Sequence, residues 1–407
     1  MARPSPLARL VRTRRAPGRA GMMHAPSTLF LTHSAPVIGP CQVRLIPPGQ
    51  LGEEDRARWA QLSRAADEGN IFAQHWFMDA ALTHAPREED VHLAVVQDRH
   101  GRWIGALPLF REKSFGRWPV RIWTSWLSTN QFLGTPLLLP DHGEFFWRQL
   151  FAHLDSHSEG EILLFLRQLA FDDSASAALF AHCAATGRPV RMTQRHERPA
   201  RRPDAPEGAP GDRKTASRLR GLRRKLERDH GKICIDIIAD GQNIEQWVDQ
   251  FLPLEKSGWK GRRGSALGCD QATEALFRNV MQHGQGNGSL RLASLRAGGK
   301  DIAMTSWFET RTHGYGFKMA FDEAYRRYAP GQQLMQEIAA HIARRAHLYF
   351  DTCAPEGTTS YHKLWPHRRM IFDAAIALGS TPRRLAFETL MNARTFYANI
   401  TAPWRRI

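Results

Sequence analysis

The chain has 407 residues, of which 42% are apolar and 24% charged, enough to build a core and long enough for two ordinary domains. No stretch approaches the roughly 18–20 uninterrupted apolar residues of a membrane span, so no transmembrane segment is expected. Five dispersed cysteines with no C-x-x-C pair argue against a disulfide framework and against a zinc site, and point to a reducing, cytoplasmic setting. The net charge of +16 is uneven. Arg3, Arg9, Arg12, Arg14, Arg15 and Arg19 crowd the acid-free start, and residues 1–40 read as a disordered basic extension. With this and the basic stretch 195–228 set aside, nucleic-acid binding is not forced by charge.

Residues 41–194 read as one α/β unit. Helices are expected over 59–69 and 74–83, and strands over 92–97 and 103–111 around an Asp98–Gly101 turn. Further strands are expected over 120–126 and 132–139. Helix 143–157, strand 161–169, helix 174–186 and strand 189–194 complete this unit. Residues 195–214, with four prolines and several arginines, read as a linker. Residues 215–378 then repeat the plan. Helix 215–230 and strand 233–238 lead to helix 244–256, a Gly-rich stretch 258–268 and helix 271–283. Strands follow over 289–296, 301–310 and 315–321, then helix 332–346, strand 348–352, a short helix near 359–365 and a strand near 369–377. Residues 379–407 form a basic helical tail. The fold class is α/β (α+β), with mixed, largely antiparallel sheets flanked by helices.

The most specific segment is Tyr315–Leu334, a strand entering a loop that closes on Pro330-Gly331 at a helix start. Proline suits the first helical turn, where its missing N–H is not needed. Glycine lets backbone approach closely, and the open N–H groups of such a helix end favour an anion such as a pyrophosphate. Arg326 and Arg327 lie just upstream. From the residues alone, an ordinary strand–loop–helix join with solvated arginines fits equally. The helix 214–228 carries Lys214, Arg218, Arg220, Arg223, Arg224, Lys225 and Arg228 opposite Leu219, Leu222 and Leu226. It reads as a surface helix, with an anion-facing groove wall or membrane-surface docking as alternatives.

This order of elements resembles the GNAT superfamily of acyl-CoA-dependent acyltransferases, repeated in tandem. The Q/R-x-x-G-x-G/A signature is matched loosely, since Arg327 precedes Gly331 by four positions and Gln333 stands where Gly or Ala is usual. Tyr328-Ala329-Pro330-Gly331 is similar to the Y-[SA]-P-G form found in acetyltransferases associated with cellulose and exopolysaccharide biosynthesis. Leu254–Ala266 is similar to that family's L-E-x-x-G-W-K-G-x-x-G-[ST]-A. The layout is also similar to the tandem-GNAT peptidoglycan aminoacyltransferases.

The resemblance implies acetyl-CoA or another acyl-CoA as donor and no metal. It places the donor along Met319, Ala320, Phe321, Arg326, Arg327, Tyr328, Pro330, Gly331, Gln332 and Gln333. Glu255, Trp259 and Lys260, beside the Gly-rich loop, are expected to contact substrate. Direct transfer needs a base for the acceptor amine or hydroxyl, and Asp351, His362 and Glu309 are the candidates. Tyr315 or Tyr361 could serve as acid. The acceptor is expected to be a sugar, a polysaccharide precursor or a related small molecule. Two alternatives stay open: a Fem-like aminoacyltransferase that uses aminoacyl-tRNA, contacted by the basic helix, and a non-catalytic accessory protein of exopolysaccharide production.

Overall fold

The structure, a computed structural model, describes residues 42–66, 69–85, 90–203, 213–238, 243–355, 364–365 and 367–401. The N-terminal half runs β1 (Gln42–Ile46), α1 (Glu53–Ala65), α2 (His75–His84), β2 (His92–Gln97), β3 (Trp103–Glu112), β4 (Ile122–Ser125) and β5 (Leu137–Leu138). It continues with α3 (Gly143–Ser156), β6 (Leu163–Ala170), α4 (Ser174–Ala185) and β7 (Val190–Arg201). The C-terminal half runs α5 (Arg213–His230), β8 (Ile233–Ile238), α6 (Ile244–Ser257), the short α7 (Trp259–Arg262), α8 (Gln271–Gly286), β9 (Leu290–Ala297), β10 (Lys300–Glu309) and β11 (His313–Phe321). Then come α9 (Pro330–Ala343), β12 (Tyr349–Asp351), β13 (His367–Ala377) and α10 (Thr381–Thr401).

Local chemistry sets many of these boundaries. Asp98 accepts from the N–H groups of His100 and Arg102, and Gly101 takes φ +74°, which closes the β2–β3 hairpin. Asp173 and Asp270 cap α4 and α8, accepting from Ala175 N at 2.8 Å and Thr273 N at 2.9 Å. In α6 the buried positions Ile244, Trp247, Val248, Phe251, Leu252 and Glu255 fall at spacings of three and four. One of them is a carboxylate, which marks it for a partner.

The strands form a single open sheet in the order β1-β2-β3-β4-β6-β13-β7-β12-β11-β10-β9-β8, with β5 paired to β3. Two features differ from the expectation. Strand β7 does not stop at Gln194 but runs through Pro199 to Arg201, into the stretch read as a linker. The local signal, proline and arginine, is overridden by pairing with β13 along ten register positions, from His367↔Ala200 to Ile376↔Val190. Pro199 is tied in through its carbonyl, which accepts from Thr352 N and Thr352 Oγ1 at 3.2 and 2.7 Å. The strand expected over 132–139 shrinks to Leu137–Leu138.

The second feature is β13, which follows the C-terminal half in sequence yet lies between β6 and β7 of the N-terminal half. The two halves are thereby one continuous sheet. Helix α10 buries Phe387, Leu390 and Met391 against Phe115, Ile122 and Leu163. Among the described residues no helix is long and apolar enough to cross a membrane. The expected basic extension 1–40 and the short helix near 359–365, apart from Leu364 and Trp365, lie outside the described residues.

Candidate acyl-transfer site

Strand β11 positions the site. It pairs with β10 through Ser306↔Lys318 and Trp307↔Gly316, so Phe317 is an extra residue and forms a β-bulge. A bulge re-aims side chains that would otherwise alternate. Phe317 and Lys318 accordingly share surroundings: the Phe317 ring lies 6.3 Å from Phe132, and Lys318 Nζ lies 5.4 Å from both rings. Lys318 Nζ donates to Asn130 Oδ1 at 2.6 Å, across from the N-terminal half. Asn130 is buried, and its Nδ2 has no partner among the described residues.

The parallel pairing of β11 with β12 covers only His313↔Tyr349, Gly314↔Phe350 and Tyr315↔Asp351. A Cβ at Gly316 would lie 2.3 Å from the Thr352 carbonyl oxygen, so only glycine permits this close approach before the bulge.

Below the bulge sits a buried ion pair. Glu255 accepts from Lys260 Nζ at 2.6 Å and from Leu267 N at 2.8 Å. Lys260 Nζ also donates to the Met319 carbonyl at 3.4 Å. The two segments singled out in the sequence, 59 positions apart, therefore meet at this ammonium. Burial first, and then the neighbouring Lys260 charge, lower the pKa of Lys318 to about 8, against the opposing pull of Glu255. Trp259 stands at the rim, 47% exposed, its backbone N–H donating to Glu323 Oε1 at 2.8 Å. Arg262 binds the same carboxylate at 2.7 Å.

At the far end of β11 the chain turns through a 3-10 segment, Glu323–Tyr328, into α9. Ala329 takes φ +51°, a left-handed conformation uncommon outside glycine, and Pro330 occupies the first turn. The turn is held by Tyr328, whose buried hydroxyl donates to Asp229 at 2.7 Å, and by Gln333, whose Nε2 donates to the Tyr328 carbonyl at 2.8 Å. A Cβ at Gly331 would meet Phe321 and Met319 at 3.4 and 3.6 Å, so Met319, Phe321 and Gly331 form one surface.

Other members of the expected donor-binding set fall elsewhere. Ala320 belongs to the core on the opposite face of the sheet from Met319 and Phe321. Arg327 lies over the Tyr328 ring and pairs with Asp229 at 3.8 Å, and Arg326 is exposed. Gln332 accepts from Arg218 of α5 at 2.5 Å.

The candidate bases are dispersed. Asp351 is fully buried and accepts from Arg198 at 2.7 Å and Arg369 at 3.0 Å. Burial alone would raise its pKa, but these guanidiniums hold it below the usual carboxylate range. A carboxylate so clamped is a poor proton acceptor; it joins β7, β12 and β13. Glu309 is pinned by Trp307 Nε1 at 2.8 Å, by Arg291 at 3.3 Å and by Arg345, at the other end of β10 from the α9 turn. Tyr315 is buried, and burial pushes its hydroxyl pKa well up. His362 and Tyr361 lie outside the described residues. Lys318 and Asn130 were not anticipated: lysine in an apolar strand looks like an edge residue, and its partner is 188 positions away. Among the described residues no His, Cys, Asp and Glu cluster could hold a metal.

The half of the chain that carries this geometry has a GNAT-like acyltransferase fold. Residues 213–363 match the acetyltransferase (GNAT) domain family, and the protein is a transferase. No curated protein matches the chain. Among the solved structures similar to it are L-PGS, FemX and a tandem GNAT protein. L-PGS from Bacillus licheniformis is 13% identical, covering 86% of this chain and 98% of that one, with a TM-score of 0.47. FemX is 11% identical, covering 78% and 95%, with a TM-score of 0.47. A tandem GNAT protein from the clavulanic acid biosynthesis pathway is 15% identical, covering 83% and 98%, with a TM-score of 0.42.

Proposed function

We propose that the C-terminal half transfers an acyl group from acyl-CoA, acetyl-CoA in the simplest case, to an amine or hydroxyl of a sugar or polysaccharide precursor. The observation that carries this reading is the part-buried Lys318–Asn130 pair on the β11 bulge, on the strand that leads to the Pro330-Gly331 start of α9. Bound acyl-CoA would supply an activated thioester carbonyl. The N–H groups of Gly331 and Gln332 and the α9 dipole would take its phosphates, and Met319 and Phe321 would offer apolar contact. The buried Asn130 Nδ2, with no partner among the described residues, fits such a group.

Lys318 and Asn130 Nδ2 are fixed donors in a partly desolvated site. They stabilise negative charge that develops on a reacting oxygen, which is the role of preorganised donors in acyl transfer. Burial, aided by Lys260 and opposed by Glu255, lowers the pKa of Lys318, and the Lys260–Glu255 pair adds no net charge beside it. We assign the base to neither Asp351 nor Glu309. The meeting of Leu254–Ala266 with the Tyr315–Leu334 segment at Lys260 supports placement with the cellulose- and exopolysaccharide-associated acetyltransferases. The dispersed cysteines fit a cytoplasmic enzyme.

Isothermal titration with acetyl-CoA tests the reading. Wild type is expected to bind in the micromolar range, and Gly331→Trp to lose at least about 100-fold, a difference of roughly 2.7 kcal/mol. Failure of wild type to bind, with tight and salt-sensitive binding of aminoacyl-tRNA instead, would transfer the site to aminoacyl transfer.

A further inference from the structure

A cleft of about 1290 Å³ opens between the halves at the other end of β11 from the α9 turn. Its N-terminal wall includes Arg64 at the end of α1 and Gln74 and His75 at the start of α2. Its C-terminal wall includes His283 of α8, Arg291 of β9, residues 309–313 of the β10–β11 hairpin and Arg345 just past α9. An aromatic partition separates it from Lys318: Phe72 meets Phe132 at 5.4 Å and Tyr315 at 5.8 Å, and Phe132 meets Phe317 at 6.3 Å. Along the strand, His313 and Lys318 are roughly 16 Å apart at the usual rise of ~3.3 Å per residue. The cleft is thus a separate compartment from the acyl-transfer site.

Its lining is cationic. Arg64, Arg291, Arg311, Arg345 and Arg369 stand against Asp172, Asp173 and Glu309, five positive groups to three negative with the histidines neutral. The charge is also organised. The Glu309 side chain, 1% exposed, bonds both Arg291 and Arg345, whose side chains remain 17% and 32% exposed. Arg291 also donates to the Gly288 and Leu290 carbonyls, each at 2.8 Å, so the shared Glu309 carboxylate and these bonds fix the guanidiniums at the wall. Such fixed forks are the geometry that recognises phosphate and carboxylate groups. Arg64, exposed on the facing wall, adds a further cation with no carboxylate partner among the described residues.

We propose that this cleft is a binding site for an oxyanion-bearing small molecule, with its phosphate or carboxylate group against Arg291 and Arg345 and Arg64 closing on it from the N-terminal half. Glu309 is then a positioning residue, which explains why a strand end carries a buried acid with two arginine partners. The ligand is large enough to touch both halves and is held independently of acyl-CoA.

Calorimetric titration with inorganic pyrophosphate and, separately, with citrate tests this. Both are titrated into the Gly331→Trp protein, so that binding at the α9 start does not contribute. At least one anion is expected to bind with a submillimolar Kd and raise the melting temperature, and the tighter of the two identifies the group. Arg345→Gln is expected to weaken binding about tenfold. Because that change also disturbs Glu309, Arg64→Ala on the exposed wall provides the second arm: an unchanged melting temperature without ligand, and at least threefold weaker binding. No binding of either anion, or wild-type affinity in both variants, would overturn the proposal.

Discussion

The two halves repeat one order of elements, yet their parallel strand pairs lead into connections of very different length. In the C-terminal half, β11 and β12 are joined over three residues and then part, and residues 322–329 carry the chain straight to α9. In the N-terminal half, β4 and β6 are likewise parallel, pairing Trp123↔Leu164 and Thr124↔Phe165. There the connection to α3 is the long segment 126–142, and it lies back against β6. Gly134 N donates to the Gln168 carbonyl at 2.9 Å, and Ser125 Oγ accepts from Arg167 N at 2.9 Å. The start of α3 is also covered: a Cβ on Gly143 would lie 2.6 Å from that of Ala178. A repeated topology therefore need not repeat a site; the length of one strand-to-helix connection decides how far the chain itself packs back over the strands. The filling segment contributes Asn130 and Phe132 to the other half's site, so one half has become a wall of the other.

The largest expected effect falls on the seam. Asp351→Asn leaves Arg198 and Arg369 buried without their shared charge and should cost about 3–5 kcal/mol in urea unfolding. Both halves should still unfold in one transition; two separated transitions would break the view that they are one sheet. Next, Lys318→Gln should lower kcat by roughly 10²–10³ with little change in melting temperature. Because the pKa is lowered to about 8, the cation is present below that pH and lost as pH rises through it. Wild-type kcat should fall above pH 8, and the residual rate of the variant should lack that fall.

A matched pair sharpens the comparison directly. Gly134→Ala places a Cβ 2.0 Å from the Arg167 carbonyl and should cost about 3 kcal/mol, whereas Gly331→Ala meets only ordinary neighbours and should change stability by less than about 1 kcal/mol. The smallest effect concerns Asp173, whose pKa burial raises to about 6 despite its bond to Ala175 N and the nearby Arg369. The folded state binds the proton more tightly than the unfolded chain, so this residue's contribution falls as pH rises from about 4 through 6. Asp173→Asn, which keeps the capping oxygen, should stabilise the protein by about 2 kcal/mol at pH 7 and hardly at all at pH 4.

The regular elements were legible because their signals are local. The apolar runs of β2 and β3, the Asp98–Gly101 turn and the spacing of α6 need only neighbours in sequence. Pro330-Gly331 was legible for the same reason, as a helix-start signal. What could not be read depends on distant partners. Arg198 looks like linker charge until Asp351, 153 positions on, is placed beside it. Asp351 looks like a free strand-end base until those arginines arrive. Lys318 looks solvated until the bulge at Phe317 and segment 126–136 enclose it. Glu255 and Lys260 sit close enough in sequence to be noticed, yet their pairing appears only once α7 folds back on α6.

The position of β13 has a consequence for how the protein is made. A ribosome releases β6 and β7 long before His367–Ala377, the strand that belongs between them. Until that strand emerges, two long edges face each other with their ladder groups unpaired, a state open to wrong pairing. Synthesis of the N-terminal half thus ends well before its architecture can close, and a fragment stopped after β7 should be recovered as aggregate rather than as a domain.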